Sequence, residues 1–88
     1  MKHYLFQVVV EDDEMEDGRK AYSVHVPQLP GCNTFGLSYD EAIANAREAV
    51  ELYVQSLLEH GDPIPGEPLE DAQYQAVALT APSVLVNV

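Results

Sequence analysis

Positive charge is scarce in this chain: Lys2, Arg19, Lys20 and Arg47 stand against 15 Asp and Glu, a formal net charge of −11 over 88 residues. Gripping a phosphate backbone takes clustered Lys and Arg, so direct nucleic-acid binding is not expected, and attraction to an anionic membrane surface is not expected either. Cysteine is equally thin. Cys32 alone cannot close an internal disulfide, which fits a reducing cytoplasm. No apolar run approaches the roughly 20 residues of a membrane-spanning helix. The opening stretch is no clean signal peptide, because Gln7 interrupts its apolar run and an acidic cluster follows. Gly18, Gly31, Gly36, Gly61 and Gly66 stand singly, so no glycine-rich phosphate loop is present.

What is present suffices for a small core. Apolar residues make up 47% of the chain, and the length allows one domain over residues 1–88. A chain of this size buries only about 60–65% of its unfolded surface, a margin that sharing core with a second copy would widen.

Residues 3–11 alternate as a strand, Tyr4, Phe6, Val8 and Val10 on one face, Leu5, Gln7, Val9 and Glu11 on the other. Leu5 and Val9 on the second face predict cover on both sides, from a central position or an oligomer contact. The acidic run 11–17, with Asp12, Asp13 and Glu14 at its middle, predicts a hairpin tip in water. Alternation resumes over 19–27 and stops at Pro27, which cannot donate to a ladder. Leu29, Pro30 and Gly31 make a turn, and Cys32 to Phe35 reads as a short third strand closed by Gly36.

A helix over 39–60 is the strongest local expectation. Ser38 and Glu41 have capping-box spacing, with Leu37 and Ala42 at the staple positions beside them. Ala42, Ile43, Ala46, Ala49, Val50, Tyr53, Val54, Leu57 and Leu58 form one broad apolar stripe, opposite Glu41, Glu48, Glu51, Gln55 and Glu59. Gly61 suits the position after the helix, and Pro63 forbids its continuation. Residues 62–68 are proline-rich connector. Tyr74 to Leu79 and Ser83 to Val88 both have strand composition, the second being the better candidate for the sheet. The expected order is β-β-β-α-β: an α+β architecture, an antiparallel meander with one long helix packed on one face.

Catalytic chemistry finds little support. His3, His25 and His60 share no ligand spacing, so no metal site and no cofactor is expected. A Cys32–His25 pair is conceivable, but packing is the commoner fate of a lone cysteine. Two-metal phosphodiester cleavage needs carboxylates converging from rigid elements, and the predicted strand centres hold none. Binding remains. Leu52 is the one large apolar residue on the polar flank of the helix, Tyr39 stands at its start, and Asp12, Asp13, Glu14, Glu48, Glu51, Leu52 and Gln55 are the candidate partner contacts. Two readings of the acidity stay open, a docking surface for a basic partner and general tolerance of salt.

The stretch from Tyr22 through Leu29-Pro30-Gly31-Cys32 to Gly36 resembles the signature of HicB-like antitoxins. Ser38-Tyr39-Asp40-Glu41-Ala42 and Asn45-Ala46-Arg47-Glu48-Ala49 resemble that family's helix, and Gly61-Asp62-Pro63-Ile64-Pro65 its exit. The likeness covers residues 4–68 and, more weakly, 84–88. It implies a partial ribonuclease-H-like fold and a non-enzymatic protein that neutralises a small, basic, mRNA-cleaving HicA-type toxin by covering its RNA-binding or active surface. It implies dimers or tetramers as well. Many relatives carry a C-terminal DNA-binding module, which this sequence is not expected to contain. Pro27, Pro30, Gly31, Cys32, Ser38, Glu41 and Asn45 carry the motif structurally: the prolines bracket a rigid reversal, and the Asn45 amide is expected to satisfy backbone groups at the sheet edge. A solitary scaffold domain without a toxin and a vestigial metal-dependent nuclease are the alternative readings.

Overall fold

The computed structural model describes residues 2–69 and 82–88. Strands β1 (His3–Gln7), β2 (Val9–Glu14), β3 (Lys20–His25) and β4 (Asn33–Gly36) precede helix α1 (Tyr39–Glu59), and β5 (Ser83–Asn87) follows it. The class is α+β, with antiparallel strands and one long helix, as expected. β2, β3 and β4 form one sheet in that order, and β1 pairs with β5 in a second. The expected strand at Tyr74 to Leu79 lies outside the described residues.

The first strand departs from expectation. It divides at Val8, because its two halves serve different partners: Tyr4 and Phe6 face Val86 and Val84 of β5, whereas Val9 and Val10 face His25 and Val24 of β3. Within the single chain its second face is not fully covered, Val9 being 37% exposed, which leaves the oligomer contact as the source of cover. The acidic run is a hairpin tip only in its second half, where Glu16 and Asp17 occupy the turn between β2 and β3. Glu11 to Glu14 belong to β2 and pair with residues 20–23 of β3; the turn is confined to residues 15–18, closed by the Met15 N–H donating to the Arg19 carbonyl at 2.8 Å. An acidic segment can hold this place because β2 is an edge strand among the described residues. It needs backbone pairing on one side only, and its carboxylates all reach water.

The helix packs through Ala42, Ala46, Val50 and Val54, a row at every fourth residue, against a core that includes Phe6, Val24, Leu29, Val84 and Val86. Burying a side chain of the size of Phe6 or Val50 stabilises the fold by about 1.5–3 kcal/mol. Both helix ends follow local chemistry. Ser38 Oγ accepts from the Glu41 N–H at 3.1 Å, although the Glu41 carboxylate does not return the bond expected of a capping box. Leu37, at the staple position, is 43% exposed, while Ala42 is fully buried. At the other end the Gly61 and Asp62 N–H groups donate to the Leu58 and Leu57 carbonyls, with Gly61 at φ +72°. That Schellman pattern requires a left-handed residue, and glycine supplies it without a Cβ penalty.

The tightest junction joins β4 to the first helical turn. A Cβ on Gly36 would lie 2.3 Å from the Ala42 nitrogen and 2.7 Å from its Cα. Both obstacles are backbone, so neither can swing aside. Gly36→Ala should therefore lower the unfolding free energy by about 2 kcal/mol or more, read as a shifted urea midpoint at constant slope; an unchanged midpoint would refute this packing.

Candidate protein-docking surface

Position in the fold determines which of the candidate residues can meet. Asp12, Asp13 and Glu14 lie along β2 opposite Tyr22, Ala21 and Lys20. Their side chains alternate across the strand, so the three carboxylates do not converge on one point. Beside them the Lys20 ammonium sits 5.2 Å from the centre of the Tyr22 ring, and Tyr39 meets that ring edge-on with centroids 6.1 Å apart. Contact with Tyr22, then the negative charge of Asp12, pushes the Lys20 pKa above its ordinary value. Tyr39 thus has one face on β3 and remains 45% exposed.

Glu48, Glu51, Leu52 and Gln55 share the outward flank of α1. Leu52 is 60% exposed. Glu51 and Gln55 face a groove of about 370 Å³ between α1 and β5, whose other lining includes Val54, Leu58, Leu85 and Val88. Glu51 and Gln55 are thus brought together, Glu48 and Leu52 stand beside them on the same helix, and the β2 carboxylates belong to the other sheet. The apolar-stripe assignment of Leu58 is corrected: it is 52% exposed. Helical periodicity shows which residues share a side of α1, but not how far the sheet extends beneath it. Exposed Phe35 was likewise not singled out; it sits on β4, the other edge of the three-stranded sheet.

The motif residues form the frame behind these surfaces. Between Pro27 and Pro30 the chain reverses, with the Leu29 N–H donating to the Val26 carbonyl and the Cys32 N–H to the Leu29 carbonyl, both at 3.0 Å. Leu29 is fully buried and plugs the turn into the core. Gly31, at φ +80°, takes the left-handed position that closes it. The helix grips this turn through the Tyr53 hydroxyl, which donates to the Pro30 carbonyl at 3.0 Å. Gln28 reaches the other way, its Oε1 accepting the Gln7 N–H at 3.1 Å. The Asn45 amide donates to the Phe35 carbonyl at 2.8 Å, tying α1 to β4 one helical turn beyond the Gly36 junction.

Cys32 is buried, and burial pushes its thiol pKa up, away from the thiolate that a nucleophile requires. Among the described residues no three of His, Cys, Asp and Glu gather as a metal site, and no helix is long and apolar enough to cross a membrane.

The family model for the HicB-like antitoxin of bacterial toxin-antitoxin systems matches residues 6–85. The chain belongs to that family. A UPF0150 protein of Thermoplasma acidophilum is 39% identical over 71 residues, covering 81% of this chain and 97% of the relative. Another, from Synechocystis, is 39% identical over 66 residues, covering 75% and 78%. Among solved structures, the N-terminal domain of the Burkholderia pseudomallei antitoxin HicB superposes with a TM-score of 0.64 at 30% identity, over 97% of this chain and 98% of that one. Against the Burkholderia pseudomallei HicB structure that extends beyond this domain, the TM-score is 0.62 at 30% identity, and the match covers 63% of that chain. In this HicB-like chain, then, the motif residues build the frame, and the candidate contact residues Asp12, Asp13, Glu14, Glu48, Glu51, Leu52 and Gln55 are all exposed.

The Cys32 environment generates a pH prediction. In the unfolded chain the thiol ionises near its ordinary value of 9.0, and in the folded chain only at higher pH. Its contribution to stability is therefore complete below that value and is lost as pH rises above it, because only the unfolded state then releases the proton. Between about pH 9 and 10.5 the wild-type denaturation midpoint should fall more steeply than that of Cys32→Ala; parallel curves would contradict the assignment.

Proposed function

We propose that this chain acts as a single-domain, non-enzymatic antitoxin in the cytoplasm, neutralising a small basic HicA-type toxin that cleaves mRNA. The observation that carries the reading is the family match over residues 6–85, joined to a surface on which every described acidic residue is exposed. An RNA-cleaving partner must present positive charge to its substrate. The β2 carboxylates and the α1 flank offer that charge a competing counterpart, so the toxin's RNA-binding or active surface is covered instead of its RNA being bound. Long-range attraction of this kind accelerates encounter more than it prolongs the complex. The partial ribonuclease-H-like architecture brings no metal chemistry with it in this reading, because the carboxylates of β2 diverge. Self-association into dimers or tetramers accompanies the function.

The test pairs purified chain with the small basic protein it co-purifies with from its own host. Inhibition of RNA cleavage by that protein is the expected outcome, whereas recovery of self-oligomers alone would favour a toxin-free scaffold. Removing charge with Asp12→Asn, Asp13→Asn and Glu14→Gln together should slow association about tenfold at low salt while leaving dissociation nearly unchanged. Stopped-flow measurement across a salt series checks this, and an association rate insensitive to both salt and substitution would remove the electrostatic part of the proposal.

A further inference from the structure

The groove between α1 and β5 is the place where one more strand would lie. Lys2 and Val88 exchange both backbone hydrogen bonds, Lys2 N–H to the Val88 carbonyl at 2.6 Å and Val88 N–H to the Lys2 carbonyl at 2.9 Å. That fixes the alternation: Val84 and Val86 bond toward β1, and the peptide groups of Ser83, Leu85 and Asn87 point to the opposite edge. Among the described residues β5 pairs only with β1. Above that edge the helix presents Leu58, apolar by position in the stripe yet 52% exposed, next to Val88 at 38%. A strand edge with no partner among the described residues, beneath an unburied apolar helix residue, is the geometry of strand addition. The charge identifies the occupant. Glu51 faces the groove, Glu48 and Glu59 flank it on the same helix, and none of its lining residues is basic. A second copy of this chain, itself at −11, would bring like charge to this edge.

We propose that the β5 edge takes up an extended segment of a basic protein partner. The segment pairs antiparallel or parallel with residues 83–87, places apolar side chains under Leu58, and directs Lys or Arg to Glu51. The proposal rests on the antitoxin reading only in identifying that partner as the toxin. The groove can be tested without it.

The probe is a peptide of about eight residues alternating Lys and Val, compared with one of equal charge alternating Lys and Ser. Hydrogen exchange by NMR should show the Leu85 and Asn87 amides protected by the Lys-Val peptide alone. Leu58→Lys should weaken that binding by about tenfold or more, with the amide spectrum otherwise retained, and Leu58→Met should preserve it. Equal binding of both peptides, or shifts confined to residues 11–17, would overturn the proposal. Concentration-dependent protection of Leu85 without any peptide would overturn it too, assigning the edge to a second copy. If Leu58→Lys still neutralises the toxin as wild type does, the groove fails while the antitoxin reading stands. If the peptide binds as stated and no toxin is recovered, the reverse holds.

Discussion

Backbone contact between Gly36 and the first turn of α1 is the constraint on which the arrangement rests. With a Cβ position only 2.3 Å from the Ala42 nitrogen, the strand end and helix start touch main chain to main chain. Such proximity demands small residues on the helix as well, and Ala42 and Ala46 supply them before the row enlarges to Val50 and Val54. Other ties become possible at that separation. Asn45 reaches the Phe35 carbonyl, Tyr39 meets Tyr22, and further along Tyr53 holds the Pro30 carbonyl. Each is a modest interaction, about 1 kcal/mol for a hydrogen bond, but all are aimed by the same docking of helix on sheet.

The charge obeys a complementary rule. Among the described residues no charged or polar side chain is buried, so the core is held by apolar contact alone and the acids contribute nothing to it. In a protein of this size, a buried carboxylate without a partner would consume much of the net stability. Placing the acids on an edge strand and on one helix flank keeps them solvated and prevents edge-to-edge pairing of like copies along β2. The self-repulsion that remains is spread over the surface, where salt screens it.

Local signals were the legible part of the sequence. The ends of α1 are written in Ser38 and Gly61, the reversal in Pro27, Leu29, Pro30 and Gly31, and the last strand in the alternation that leads to Val88; each depends on residues close together in the chain. The split at Val8 depends on which strand each half pairs with, and pairing is decided by residues 83–87 and 20–25, far away in sequence. The acidic strand was missed for a related reason. Like charge argues against packing, yet an edge strand does not have to pack its carboxylates, and edge status is a property of the whole sheet. Leu58 shows the same gap at the candidate surface: periodicity assigns a side of the helix, and only the number of strands beneath it determines whether that side is covered. Asp12 and Glu51 were both recognised as surface acids from sequence alone, but their separation onto two sheets was not legible.

That separation has a kinetic meaning for a basic partner. Exposed carboxylates on β2 act at a distance set by the Debye length, about 8 Å at physiological ionic strength, and so influence how often a cationic surface arrives correctly oriented. In the proposed docking the groove at β5 would act only on contact, through backbone pairing and burial of Leu58, and so would influence how long the partner stays. Putting both on one patch would surround the β5 edge with carboxylates, each of which would lose water if the edge were covered and would have to be matched one for one. Keeping most of the acids on β2, with Glu51 as the groove-lining carboxylate, lets attraction be strong while the desolvated contact stays mostly apolar. An 88-residue chain that buries no charged side chain among its described residues would in this way, under the proposed reading, use its charge for recognition without weakening its own fold.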